Sequence, residues 1–183
     1  MPLTKIIFIL LNNKLISKIM KNIILKNGLF GGIIVSIVMA SMTLYMKSNP
    51  ENEPNAIIGF ISMLLAFFFV VKGIKQQRDA NGGVITFGKA FLTGLLISLV
   101  ISTIYVIVWL IIYYNFFPNF MEQYSDMILK NTSAEDLAAK TEEMNRMKEW
   151  YKNPFYVILL TYAEILPIGI VVSLISALIR KRK

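Results

Sequence analysis

Ala90-Phe-Leu-Thr-Gly94-Leu-Leu-Ile-Ser98-Leu-Val-Ile-Ser102-Thr-Ile-Tyr105-Val-Ile-Val-Trp109-Leu-Ile-Ile-Tyr113-Tyr-Asn-Phe-Phe117 contains no Lys, Arg, Asp or Glu. The run exceeds the roughly 20 apolar residues that cross a hydrocarbon core. Inside hydrocarbon only a helix or a closed barrel gives every backbone N–H and C=O a partner, and a single unbroken run of this length is a helix. Three further runs share its character, at 28–46, 56–71 and 154–179. The chain therefore reads as an all-α integral membrane protein with four transmembrane helices, spanning 28–46, 56–71, 90–117 and 154–179 within a single membrane domain over 20–183. The second run is short, and Lys72 is placed to snorkel and lengthen it.

Composition narrows the chemistry. The 183 residues are 56% hydrophobic and only 16% charged, which is too apolar for an ordinary soluble domain. The chain has no His and no Cys. That removes imidazole and thiolate metal ligands, Ser–His–Asp and cysteine nucleophile systems, haem attachment and disulfides. The expectation is a protein with no cofactor, no metal and no enzymatic activity. A net charge of +8 would suit nucleic acid, but the basic residues sit beside the apolar runs and form no separate basic domain. The expected partner is the lipid bilayer, through an anionic inner leaflet, and not nucleic acid.

Lys and Arg placement gives an orientation. Thirteen of the 19 fall before the first run, between the second and third, or in Arg180-Lys181-Arg182-Lys183. The others are Lys47 and five residues of 118–153, where seven acids accompany them. The positive-inside rule then puts both termini and the 72–89 loop in the cytoplasm and the 118–153 connection outside. Residues 1–19 are less simple, because 6–11 is too short to span and no small-residue cleavage site follows. One reading is a basic amphipathic helix on the leaflet, with Lys14, Lys18 and Lys21 opposite Leu11, Leu15, Ile16 and Ile19. The other is a mis-annotated N-terminal extension ahead of a start at Met20.

Small residues recur every four positions along the spans: Gly28, Gly32, Ser36 and Ala40 in the first, Ala90, Gly94, Ser98 and Ser102 in the third, Gly169, Ser173 and Ala177 in the fourth. The second offers Gly59, Ser62, Ala66 and Gly73. Such ridges let helices approach closely in lipid, and they are expected to pack the bundle internally more than to join copies, although a homo-oligomer or a membrane protein partner stays open. The run Gly32-Ile-Ile-Val-Ser36 resembles Gly94-Leu-Leu-Ile-Ser98, as a duplicated hairpin would.

The 118–153 connection carries helical patterning of its own. Phe120, Met121, Tyr124, Met127 and Ile128 keep helical spacing, Thr132-Ser133-Ala134-Glu135 has capping-box form, and Leu137, Met144, Met147 and Tyr151 line one face. Asp136–Lys140 and Glu142–Arg146 are i,i+4 pairs in the favourable order. Two amphipathic helices forming a hairpin outside the membrane are expected. Trp150, Tyr151, Tyr113, Tyr114, Phe116 and Phe117 read as an interfacial belt. At the cytoplasmic re-entry, Asn81-Gly82-Gly83 supplies a turn and Thr86 can cap the third helix. The glycines near Lys89 do not make a complete phosphate-loop signature.

Three pieces of this sequence carry a family resemblance: Gly73-Ile-Lys-Gln-Gln-Arg78-Asp-Ala-Asn-Gly-Gly83-Val-Ile-Thr86-Phe87-Gly88-Lys89-Ala90-Phe91; Tyr113-Tyr114 followed by Pro118-Asn119-Phe120; and Glu164-Ile-Leu-Pro167-Ile-Gly169 leading to Leu174-Ile-Ser-Ala177-Leu. Together they resemble the bacterial four-span membrane family called domain of unknown function 4199, over about residues 20 to 183. The resemblance implies a protein typical of Bacteroidota, and so the inner membrane of a Gram-negative cell. It implies no activity.

Glu164 is the only carboxylate or basic side chain inside any span. An ionised carboxylate near the midplane costs roughly 3 kcal/mol or more, so it must be protonated, paired or wet. Matching depths leaves Tyr105 and Trp109 on the third span and Ser41 on the first as donors, and the expectation is a neutral, hydrogen-bonded acid pointing into the bundle. Pro167 removes a backbone donor and frees the Ala163 carbonyl, which favours a kink beside the carboxyl. Two functional readings follow. One is a non-enzymatic scaffold or accessory protein with the hairpin as its contact surface. The other is a small oligomeric transporter or channel using Glu164 as a proton or cation site, for which a water-filled pocket is the expected sign.

Overall fold

The computed structural model describes residues 3–50 and 55–181, with side chains from residue 18 onward. Six helices follow in order: α1 (Leu3–Ser48), α2 (Ala56–Ala80), α3 (Phe87–Ile111), α4 (Phe120–Lys130), α5 (Leu137–Tyr151) and α6 (Pro154–Arg180), with a π-helical turn at Ile112–Phe116 after α3. Among the described residues four stretches are long and apolar enough to cross a membrane: Lys18–Ser48, Ala56–Ala80, Phe87–Phe116 and Pro154–Arg180. These are the four expected spans, each extended. Helix α2 outruns residue 71 because its buried face continues through Gly73, Ile74 and Gln77 after the outward residues turn polar. Helix α1 passes through residues 3–19 without a break. The basic face proposed there includes Lys14, which lies outside the described side chains.

Helix α3 packs against α1, α2 and α6, and α2 also meets α1 and α6. Polarity is inverted relative to a soluble bundle. Phe30, Ile37, Ile57, Leu65, Phe68 and Ile175 point outward, whereas Asn27, Gln77, Thr93, Ser98, Thr161 and Ser173 are buried. Outward apolar side chains meet lipid without penalty, while interior polar groups must find partners. Several do so locally: Thr93, Thr161 and Ser173 each donate to the carbonyl four residues back, at 2.7 to 2.8 Å, whereas Gln77 Oε1 and the Ser36 and Ser102 hydroxyls are buried without a partner among the described residues. Between helices, Ser98 Oγ donates to the Gly169 carbonyl at 3.1 Å and lies 3.1 Å from Ser173 Oγ. Asn27 Nδ2 donates to Gln76 Oε1 at 2.7 Å, tying α1 to α2 near the end of the bundle that carries the termini.

The small-residue ridges are spent inside the bundle, as expected. Gly28 and Gly32 lie against Val100 and Ile104 of α3, and Gly31 against Ile101 and the Ala66 carbonyl. On the opposite face of α3, Gly94 meets Ser173, and Gly169 meets Ser98 and Phe67. Gly59 faces open space instead.

Helices α4 and α5 form the expected hairpin and fold back onto the bundle. Met121, Met127 and Met144 are buried, and Gln123 Nε2 donates to the Met46 carbonyl at 3.0 Å, satisfying the end of α1. Lys47 donates to the Phe116 carbonyl and stands over the Phe117 ring, which fastens α1 to the end of α3. Three local expectations need correction. The hairpin turn is closed by Ser133 and Asp136: the Asp136 N–H donates to Ser133 Oγ, which donates to Asp136 Oδ2. Thr132 instead donates back to Ile128, so the box shifts by one residue and α5 begins at Leu137. Lys140 pairs with Glu143 at 2.7 Å, one turn on, rather than with Asp136, whose carboxylate is engaged by Ser133. The aromatic belt also divides. Tyr114, Phe116 and Trp150 face outward, but Tyr113 and Phe117 are buried, because the π-turn and Pro118 fold the chain back over them.

The 81–83 turn is as expected. Gly82 and Gly83 have φ of 73° and 87°, left-handed values that a side chain resists, and Thr86 Oγ1 accepts the Lys89 N–H.

Candidate functional site

Helix α6 starts on an Asn153 cap, whose side chain accepts the Phe155 N–H at 2.9 Å, with Pro154 in the first turn where a missing N–H costs nothing. Its buried stripe runs Val157, Thr161, Ile165, Gly169 and Ser173. Glu164 stands one position off that stripe, on the edge of the face turned to the bundle. There it lines a partly open cavity of about 610 Å³. Glu164 is exposed as a residue, while its carboxyl is crowded by protein around it.

Tyr105 is its partner, with the phenol donating to Glu164 Oε1 at 3.3 Å. Trp109, one turn further along α3, is buried beside it on the same wall. Of the three donors expected from depth, Tyr105 makes the bond, while Trp109 shares the wall and directs its hydrogen bond to Tyr151. The depth match failed for Ser41, which is exposed and donates to the Ile37 carbonyl of its own helix at 2.8 Å. Depth fixes height along a helix and leaves rotation about it undetermined, and Ser41 faces away. Pro167 lies outside the cavity lining, exposed on α6, which continues as helix through it. Ile168, four residues after Glu164, lines the cavity instead.

Sequence reading missed most of the wall. Met39, Met42, Met46, Met63 and Met127 line it, half of the protein's 10 methionines. The spacing of Met39, Met42 and Met46 on one face of α1 was a signal available in advance. Phe120, Tyr124 and Tyr151 close the hairpin side, where Trp109 and Phe120 meet edge to face at 4.8 Å and Phe120 stacks on Tyr124 at 5.6 Å. Burial first, and the Glu164 carboxylate second, push the Tyr151 phenol above its ordinary range, so it stays a neutral hydrogen-bonding group. Among the described residues Glu164 is the only charged side chain on this wall.

Away from the cavity, Gly83, Gly88 and Lys89 do keep phosphate-loop spacing, but Ala90 stands where Ser or Thr would reach a metal-bound phosphate, and a helix precedes them in place of a strand. The loop reads as a helix cap.

No curated protein and no solved structure matches this chain. The family model described as "Protein of unknown function (DUF4199)" matches residues 26–182. That match covers the first candidate span from residue 26 on, the other three in full, the hairpin and Glu164, and the chain belongs to this family.

Proposed function

We propose that this is a non-enzymatic multi-pass membrane protein that handles a proton or a cationic solute at Glu164, acting as a small transporter or channel. The observation carrying this reading is the placement of the only charged side chain within the apolar runs at 28–46, 56–71, 90–117 and 154–179 on the wall of a cavity of about 610 Å³. Carboxylates are expensive at membrane depth and mark ion and solute pathways when they face a cavity. Tyr105 supplies a donor at 3.3 Å, enough to hold the acid in place without supplying a counter-charge. A lone carboxylate can carry a proton or a cation, and exchanging one for the other needs no second acid. The proposed setting is a bacterial inner membrane, with both termini cytoplasmic, the anionic inner leaflet against the Lys and Arg residues, and the hairpin outside.

A scaffold or accessory role has one observation in its favour: the outward face of α5, where Glu142, Arg146, Lys148 and Glu149 line a shallow charged cleft. The hairpin's apolar face is already occupied by the bundle. Reconstituted proteoliposomes separate the two readings. Wild-type protein is expected to pass protons or small cations, and Glu164→Gln, with unchanged helicity and monodispersity, is expected to lose most of that flux. Equal flux in both proteins, or none in either alongside a stably co-purifying membrane protein, returns the assignment to the accessory reading.

A further inference from the structure

The walls of the Glu164 cavity select among the solutes that the proposed function leaves open. Charge comes first. Among the described residues Glu164 is the sole charged lining group, with no Lys or Arg on the wall, so an anion is repelled and a neutral solute is offered only a hydrogen-bond acceptor. Size comes second. A volume of about 610 Å³ falls in the usual range for organic ligands of roughly 300–1,000 Å³ and is far larger than a bare ion fills.

Ligand chemistry comes third. Na⁺ or a divalent ion needs a shell of hard oxygens. Around Glu164 the side-chain oxygens on the wall are mainly neutral phenols and hydroxyls, and among the described residues Glu164 brings the one carboxylate. Most of the surface is instead aromatic and thioether. Tyr105, Trp109, Phe120, Tyr124 and Tyr151 present ring systems that attract a desolvated organic cation. Met39, Met42, Met46, Met63 and Met127 are flexible, polarizable and able to mould to different hydrocarbon shapes.

We infer that the cavity takes a lipophilic organic monocation, a quaternary ammonium, phosphonium or protonated aryl-alkyl amine, with its charge against Glu164 and the aromatic rings and its hydrocarbon against the methionine side. This rests on the reading of Glu164 as a cation site and names the class of cation. The acid supplies sign selectivity, since a carboxyl that gives up its proton as a cation enters a low-dielectric site favours one monocation and disfavours its isosteric anion. The methionines supply tolerance of shape.

The chain has two tryptophans, so in a Trp150→Phe background Trp109 becomes a reporter inside the cavity. In phosphatidylcholine nanodiscs, tetraphenylphosphonium is expected to change Trp109 fluorescence saturably, while tetraphenylborate, of similar shape and opposite sign, gives no saturable response. Glu164→Gln is expected to weaken phosphonium binding at least tenfold, and Glu164→Asp to retain part of it. Should Glu164→Gln fold poorly, Ile168→Lys gives the acid an internal counter-ion one helical turn away and is expected to abolish phosphonium binding with the carboxylate still present. Equal binding of the two ions, or undiminished binding in folded Glu164→Gln or Ile168→Lys, overturns the inference. Proton or alkali-cation flux that needs Glu164, without phosphonium binding, removes this class of occupant and leaves the transport reading standing. Glu164-dependent phosphonium binding without any flux does the reverse.

Discussion

A methyl group at Gly31 would stand 2.8 Å from the backbone oxygen of Ala66 and 2.7 Å from Ile101 Cδ1. The isoleucine can rotate away, but the carbonyl belongs to α2 and can move only with its helix. Gly59 and Gly88, by contrast, have nothing within 4 Å. The two kinds of glycine should respond with opposite sign. Gly31→Ala is expected to destabilise the bundle by about 1–3 kcal/mol, the usual cost of overpacking. Gly59→Ala and Gly88→Ala should be neutral or gain up to about 1 kcal/mol, from higher helix propensity. Thermal unfolding in one detergent, followed by circular dichroism, reads the difference, and a Gly31→Ala protein as stable as Gly59→Ala would remove close approach as the reason for that glycine. Around Glu164 the same scale explains which partner was foreseeable. Tyr105 and Trp109 sit on the stripe begun by Gly94, Ser98 and Ser102, whose direction the small residues reveal, whereas Ser41 belongs to no such stripe.

At the scale of elements, the α4–α5 hairpin covers one end of the bundle and supplies part of the cavity wall through Phe120, Tyr124, Met127 and Tyr151. It is held by buried Met121 and Met144, by Gln123 on the Met46 carbonyl, and by the Tyr113 phenol donating to the Tyr151 carbonyl at 3.5 Å. These attachments are few beside the long interfaces of α3 with α1 and α6, so the hairpin should open before the spans do. Met144→Ala removes a buried side chain of α5 at a cost of about 2–5 kcal/mol. Hydrogen exchange is expected to show faster exchange of the amides of 120–151 in this variant, with those of 157–177 unchanged. Uniform loss of protection across both regions would mean that hairpin and bundle unfold as one unit.

At the scale of the whole molecule, orientation is open to direct measurement, because a chain without cysteine accepts single reporters cleanly. Ser133→Cys, in the hairpin turn, is expected to react with a membrane-impermeant maleimide added to intact spheroplasts, and Asn81→Cys, in the α2–α3 turn, only after permeabilisation. The reverse pattern would invert the assigned topology. The four spans, their helical form, the turn at Asn81 and the helical hairpin were all legible beforehand, because hydrocarbon leaves an apolar run of that length one way to satisfy its backbone and because turn and cap residues act locally. Glu164 was legible for the same reason, as the one charge where charge is costly. The cavity around it was not. Methionine and aromatic side chains are equally at home facing lipid or lining a cavity, so composition does not say which way Met39, Met63 or Tyr151 turns. Their convergence on one carboxylate depends on helix rotation and on the hairpin folding back over the bundle, and contacts between residues far apart in sequence decide both.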